Sequence, residues 1–598
     1  MTLAARSPEE FAMAFTSYRA EIVRNPSQAQ LRELTLAHTP SVVKTAHGNL
    51  DKISRNKSRV AAYTYIIAPA AQASGFSGKT IEVADAQRLI DLQRAYIEKT
   101  GQLIAIDGYY GLGKNAVGVE WLYTPEGANI AGMQQVLSFP RTQVENAAQL
   151  AAPFAPTFRI VYTPDCTAAG MPGEQAVIVD LQHWTTYIMG PDYFGESKKG
   201  VLRMLCDYMY NDGALVMHAG AKVVKVNGTP ITVAIMGLSG TGKTTTTFSK
   251  QGESTHPIQD DMITLWPGGD FTVTENGCFA KTAGLTPESE PVIYNGTVDP
   301  TAWVENVFVK DDGHYDFSKG PLTPAEVAKW KDVLIATGAP EKNVAAYVAG
   351  TTTLADALDA NGIPKDGWDF VAWTQNGRSI IPLAAIKDAA DLSQTLPKVH
   401  SMGTLNRDEG PLAATPGIVR FTSPAQAAGY FMLGETTKTS AAGKERGKTR
   451  SPFTQPFFPR NHELQAARFN ELAATMPDCQ MWMMNTGYIG GTQKEVDAGT
   501  ALKVKIRHSS ALLEALFGGN VVWKRDPDFG YEIPDPDASA NAKLVAAVSA
   551  DILEPKRYFS AKGRSADYTT WVAQMHSERR AFLEKYHVTP EILAAVCK

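Results

Sequence analysis

The run MGLSGTGKTTTT, Met236 to Thr247, decides the fold class of this chain. Gly237, Gly242, Lys243 and Thr244 satisfy G-x-x-x-x-G-K-S/T, and the apolar ITVAIM before them supplies a strand. Strand, glycine loop and helix in that order predict a mixed α/β protein whose loop cradles phosphate. Glycines let backbone N–H groups converge on the anion, the lysine neutralises β- and γ-phosphate oxygens, and the threonine hydroxyl ligates Mg²⁺. The bare pattern arises by chance in roughly two chains in a hundred of this length. A glycine-rich turn with an exposed lysine is the alternative, and the preceding strand weighs against it.

Such a loop also needs an acidic residue to hold or order a metal, and QDD places Asp260 and Asp261 downstream of Lys243. Upstream, YFGESKKG (Tyr193 to Gly200) and VMHAG (Val216 to Gly220) bring a tyrosine, two lysines and a histidine. Alone, a lysine pair is usually a solvated face and a histidine in an apolar strand is usually a core group.

Short apolar runs alternate with turn signals around these motifs: FRIVYT from Phe158, QAVIVDL from Gln175, GALVMHAG from Gly213 and PITVAIMG from Pro230. They predict a buried, strand-rich centre. The region to about residue 150 reads as α+β. Ser7, Pro8 and Glu10 mark a helix start, and DAQRLIDLQRAYIEKTG (Asp85 to Gly101) is a helix that stops at glycine. Between about 320 and 370 the composition turns to Ala, Lys, Asp and Gly with a capping signature at Thr323 to Glu326, which predicts a helical surface insertion. The last 85 residues read as helices separated by prolines. No internal repeat or low-complexity tract is present.

The 598 residues suffice for two to four domains, and 44% hydrophobic with 20% charged residues describes an ordinary globular protein. A formal charge of -5 gives no long-range pull toward nucleic acid or an anionic membrane. The start MTLAARSPEEFAMAF lacks the order of a signal peptide, and no run of about 18 apolar residues occurs, so a soluble cytoplasmic protein is expected. Cys166, Cys206, Cys278, Cys479 and Cys597 form no CxxC pair, which predicts reduced thiols.

Taken together, the motifs resemble the ATP-dependent phosphoenolpyruvate carboxykinase family, whose loop reads G-L-S-G-T-G-K-T. YFGESKKG resembles Y-x-G-E-x-K-K, MHAGAKV resembles M-H-x-x-A-N-V, and QDD resembles G-D-D. NGCFAKT with ESEPVIYNGT (Asn276 to Thr297) resembles G-G-C-Y-A-K with E-P-E-I-Y-N, and VENVFV (Val304 to Val309) resembles L-E-N-V. AAGKERGKT (Ala441 to Thr449) resembles the family lid, MNTG (Met484 to Gly487) its V-N-T-G, and DFGYEIP its G-x-x-V-P region. The resemblance runs in order from about 156 to 587, less the insertion.

The resemblance implies a two-lobed fold with the active site in the cleft: an N-terminal lobe to about 225, divergent over its first 150 residues, and a nucleotide lobe over 226–598. It implies Mn²⁺ on Lys199, His218 and Asp261, and Mg²⁺ on Thr244 with Asp260 ordering its water shell. Lys199 could ligate only as the neutral amine. Lys243 and Arg378 would bear on the transferred phosphoryl, and Tyr193 would line the organic-acid pocket. ATP would lie on Gly237, Leu238, Ser239, Gly240, Thr241, Gly242, Lys243, Thr244 and Thr245, with Lys281 and Glu290 nearby. The family's Arg-Ile-x-x-x-x-Thr adenine segment is matched by KVKIRHS, which puts Lys503, Val504 and Ser509 in those places; lysine there loses the planar fork of arginine.

Two departures concern the organic substrate. The family's G-R-S-P-K-D-K has its nearest counterpart in GYYGLGKNAVGV (Gly108 to Val119), where Lys114 is the only basic residue, and MPGEQAVIVDL lacks the arginine that precedes the family's F-I-V-L-N-F strand. Arg55, Arg59, Lys114 and Arg141 are candidate replacements. Three readings stand: conversion of oxaloacetate and ATP to phosphoenolpyruvate, CO₂ and ADP, a gluconeogenic reaction; an ATP-dependent kinase with another small acceptor; or a nucleotide-binding protein with little turnover. All take a small-molecule partner, no nucleic acid or membrane, and a monomer or small homo-oligomer.

Overall fold

Thr229–Gly237 is a strand buried from Thr232 onward, and after the glycine-rich loop the chain turns into the helix Lys243–Phe248. The structure is a computed structural model that describes residues 17–56, 60–238, 240–360, 362–438 and 447–597. It is mixed α/β, and the chain divides into two units: residues up to Asn211 with Thr272–Lys387, and Asp212–Phe271 with Asp388–Ser440 and Glu445–Lys598. The segment 272–387, which follows the loop in sequence, thus packs with the first unit.

In the second unit the loop strand lies inside an eight-stranded sheet. Its order is Ser254–Gln259, Ala219–Val226, Thr229–Gly237, Val399–Asn406, Gln480–Asn485, Ile418–Arg420, Glu532–Pro534, Trp523–Arg525. The loop strand pairs antiparallel with Ala219–Val226 and parallel with Val399–Asn406, which pairs parallel with Gln480–Asn485. Both ladders are deep in the unit, which is why ITVAIM is continuously apolar rather than alternating. Helix Ile506–Phe517 lays Leu512, Leu513 and Leu516 against Ile235, Leu405 and Trp482 of these strands. The carboxyl ends of the three parallel strands then meet at the loop, where ligands gather in sheets of this kind.

The first unit holds a nine-stranded sheet with Phe158–Thr163 near its middle, between Val117–Tyr123 and Thr185–Met189. Helix Val83–Thr100 covers it and ends on Gly101 at φ 74°, the left-handed cap that glycine tolerates. Helix Gly195–Asn211 is buried through its first turn except at Lys199, which is half-buried. A five-stranded sheet places Arg378–Pro382 between Gly277–Lys281 and Trp303–Glu305.

The 320–370 region is helical, with Thr323 closing a capping box onto Glu326. It is more than an outer decoration. Val344 and Tyr347 are buried with Trp330, Phe370 and Trp373 in one apolar cluster. Among the described residues no helix is long and apolar enough to cross a membrane. All five cysteines are free, and only Cys479 is half-buried rather than buried. The expected helix start at Ser7 to Glu10 lies outside the described residues, as do Ser239, Arg59 and most of the lid segment, 441–446.

Candidate active site

In the second unit, the residues singled out around the loop converge. Gly240 and Gly242 sit at φ 89° and 88°, conformations that open the loop's backbone and that side chains resist. Thr241 folds back on the carbonyl of Leu238 through both its N–H, at 3.2 Å, and its hydroxyl, at 2.7 Å. Lys243 and Thr244 then occupy the first turn of the helix, with Thr245 half-buried beside them.

The Lys243 ammonium donates to Asp261 at both the main-chain oxygen and Oδ1, 3.2 Å each. The Thr244 hydroxyl donates to Asp260 Oδ2 at 3.3 Å. Buried Gln259 builds the turn that presents these two aspartates: its Oε1 accepts from the N–H of Asp261 at 3.1 Å and of Met262 at 3.2 Å. The triplet QDD thus carries its own template, and the glutamine escaped sequence reasoning because only the acidic pair looked chemical.

His218 Nε2 lies 2.9 Å from Asp261 Oδ1, while its Nδ1 lies 3.3 Å from the carbonyl of Phe453. Both ring nitrogens therefore face oxygen. A doubly protonated ring satisfies this, and so does a neutral ring with the proton on Nδ1 and a divalent cation between Nε2 and the carboxylate. Imidazole nitrogen, carboxylate oxygen and the Thr244 hydroxyl with Asp260 are donors that suit Mn²⁺ and Mg²⁺. Among the described residues, no three His, Cys, Asp or Glu side chains gather as a metal cluster, so a cation here would take ligands of other types or from a substrate.

The adenine-segment residues separate. Lys503 donates to Gln493 Oε1 at 2.9 Å and stands 5.7 Å from the centre of the Tyr488 ring, which Arg407 also approaches at 5.5 Å. Val504 is buried in the apolar core under the sheet, and Ser509 is half-buried on helix Ile506–Phe517. The side chain of Val504 is thus turned to the core, and only its backbone could face a nucleotide.

The first unit assembles the other set. Tyr193 is fully buried, and burial raises its pKa while the charge of Arg378, and then a hydrogen bond from it, oppose the rise. Arg378 stacks 4.9 Å over Phe279 and donates to Asn376 at 3.1 Å. In the sheet it stands between Lys281 on one strand and Glu305 on the other. Burial, and secondarily the Arg378 charge, pull Lys281 down to about 8. Burial pushes the Glu305 carboxyl above its ordinary range, and its Oε1 accepts from the N–H of Phe194 at 3.2 Å. Lys198, beside Lys199, is sealed in a buried pair with Glu275 at 2.9 Å, which also accepts from Tyr110. Glu290 occupies the N-cap position of helix Pro291–Val298.

The candidates for the missing arginine also part company. Lys114 sits on a single turn, Gly113–Asn115, and Arg141 is spent on Glu145 at 2.7 Å. Among the described candidates, Arg55 is bound next to Tyr193 in the chain: its N–H donates at 2.8 Å to Asp192, the residue before that tyrosine. Its guanidinium reaches Asp165 at 2.7 Å. Burial pushes Asp192 up, but Lys52 and Arg55 outweigh it and hold the carboxylate below its usual range.

A sequence model of the family described as phosphoenolpyruvate carboxykinase matches residues 20–337 and 365–541. The unmatched 338–364 falls inside the helical insertion. A protein named phosphoenolpyruvate carboxykinase (ATP) from Mesorhizobium japonicum is 29% identical over 423 residues, covering 68% of this chain and 64% of the relative. Its namesake from Afipia carboxidovorans is 29% identical over 476 residues, 76% of this chain and 73% of the relative. One from Rhodopseudomonas palustris strain TIE-1 is 30% identical over 437 residues, covering 71% and 65%. The chain thus spans just under two thirds of the first and third of these relatives.

Proposed function

This chain belongs to the phosphoenolpyruvate carboxykinase family, and from that premise we propose that it converts ATP and oxaloacetate to phosphoenolpyruvate, CO₂ and ADP. The observation that carries the reading is the chain of contacts from Lys243 to Asp261 to His218, with Thr244 on Asp260, at the end of a strand, loop and helix. A plain nucleotide-binding loop needs no histidine there. The names of the relatives favour oxaloacetate over another small acceptor.

In this reading the C–C bond to the leaving carboxylate breaks, CO₂ departs, and the electron pair becomes an enolate. The enolate oxygen attacks the γ-phosphorus as the bond to the bridging oxygen of ADP breaks. His218 and Asp261 would hold Mn²⁺, a role the motif match extends to Lys199, and Thr244 with Asp260 would serve Mg²⁺. When bound, the two cations supply Lewis acidity toward the acceptor and phosphoryl oxygens. Loop N–H groups bind the phosphates, while Lys243 shifts from Asp261 to the γ-phosphoryl and Arg378 spreads its charge in a loose transition state. Tyr193, held by Arg378, orients the organic acid, and Arg55 is bound through its backbone to the neighbouring Asp192. The two-lobed organisation expected from the sequence belongs to the same proposal.

Purified protein with Mn²⁺, Mg²⁺, ATP and oxaloacetate is expected to form phosphoenolpyruvate and ADP in equal amounts. Normal ATP binding with no phosphoenolpyruvate at millimolar oxaloacetate would overturn the acceptor and leave the kinase reading.

A further inference from the structure

Lys222 takes no part in the chemistry above, yet its side chain is wholly buried in the strand Ala219–Val226. It stands where the family motif M-H-x-x-A-N-V has asparagine. The ammonium donates to the carbonyl of Thr246 at 2.6 Å, to the carbonyl of Ser249 at 3.1 Å, and to Gln251 Oε1. No carboxylate is among these contacts, and burial alone pulls the lysine down to about 7. A cation held without a counter-charge costs stability, and an apolar side chain of similar length would avoid that cost. Packing therefore does not account for it.

Position does. Gly220 and Lys222 alternate along the strand and so lie on one face of it, and His218 sits at the bend just before its first residue. At that bend His218 meets Asp261, which holds Lys243. At Gly220 the loop helix comes so close that a Cβ would strike the Thr247 hydroxyl. At Lys222 the strand meets the far end of the same helix, where the last carbonyls lack intrahelical donors and a cation is favourable. The helix Lys243–Phe248 has six residues, so its far end and its first turn move as one body.

We propose that Lys222 is a positioning residue of the glycine-rich loop: it pins the C-terminal end of the loop helix to the strand that follows His218, and so fixes where Lys243 and Thr244 meet the nucleotide phosphates. The proposal rests on the nucleotide reading above. Calorimetric titration of the full chain with MgATP tests it. Wild type binds, and Lys222→Met, folded by circular dichroism, binds about tenfold more weakly. In turnover the KM for ATP rises by a similar factor while the KM for oxaloacetate stays put. A folded Lys222→Met with affinity within twofold of wild type overturns the proposal, as does an equal rise in both KM values. Wild type that fails to bind MgATP overturns the nucleotide reading, and the proposal with it. Should Lys222→Met not fold, Gln251→Leu leaves the lysine in place and removes its side-chain acceptor. It is then expected to bind about threefold more weakly, and unchanged affinity there sinks the proposal.

Discussion

Thr486 donates its hydroxyl to the main-chain carbonyl of Thr241 at 2.9 Å, tying the end of the strand Gln480–Asn485 to the middle of the glycine-rich loop. Removing this bond leaves a loop carbonyl without that donor. Thr486→Val, which keeps the shape, is expected to weaken MgATP binding about three- to tenfold and to lower stability by about 1 kcal/mol. Calorimetry and urea unfolding read the two effects separately.

In the proposed reaction Lys243 exchanges its contact with Asp261 for phosphate. Lys243→Met is expected to lower phosphoryl transfer by about a thousandfold, the scale of losing one charged transition-state contact in a dry site. Single-turnover formation of ADP at saturating ATP is the measurement, since it separates transfer from binding.

The Lys281 ammonium is charged below about 8 and neutral above it, because burial and then Arg378 oppose its charge. If it stands near the nucleotide, as the resemblance implies, its charge favours the phosphates at low pH and that effect is lost as pH rises through about 8. A plot of log kcat/KM for ATP is expected to bend downward there in wild type. In Lys281→Met that bend should vanish and the plateau should drop.

Lys222 makes stability itself depend on pH. The unfolded lysine titrates at 10.5 and the folded one at about 7, so between these values the unfolded chain holds the extra proton. Stability therefore rises with pH across that window, by at most about 1.4 kcal/mol per unit. Urea midpoints of wild type and Lys222→Met, taken from pH 6 to 10, should show the steeper rise in wild type.

Tyr347 is buried and donates to the carbonyl of Leu322 at 2.8 Å. Tyr347→Ala is expected to cost about 3 kcal/mol, the range for emptying an aromatic core site. Fluorescence of the neighbouring Trp368 would report the loss, whereas a helix lying only on the surface would tolerate the change within about 0.5 kcal/mol.

Much of the local structure was legible because its signals are local. FRIVYT and the run ending at Gly237 are strands, Gly101 ends its helix, and Thr323 caps another. What stayed hidden is pairing. Nothing in the apolar runs says that 272–387 folds with the first unit, or that Arg378 stands between Lys281 and Glu305, because a period of two gives faces and not neighbours. The same limit concealed Phe453 behind His218, Gln259 behind the two aspartates, and the approach of Arg55 to Asp192. Lys222 was invisible for another reason: buried lysine is rare, and the sequence marks it only as one charge among many.

The order of strands around the loop has a bearing on how the protein is made. The loop strand at 229–237 rests on partners at 399–406, which rest in turn on 480–485. A ribosome adding about 5–20 residues per second needs roughly 12–50 s after the loop is synthesised before the last of these emerges. During that interval ITVAIM is an apolar ribbon with a vacant edge, and nucleotide has no formed cradle to reward. Pairing with Gln480–Asn485 therefore ends an interval of exposure to clumping and completes the frame on which ATP can pull the chain toward the finished state.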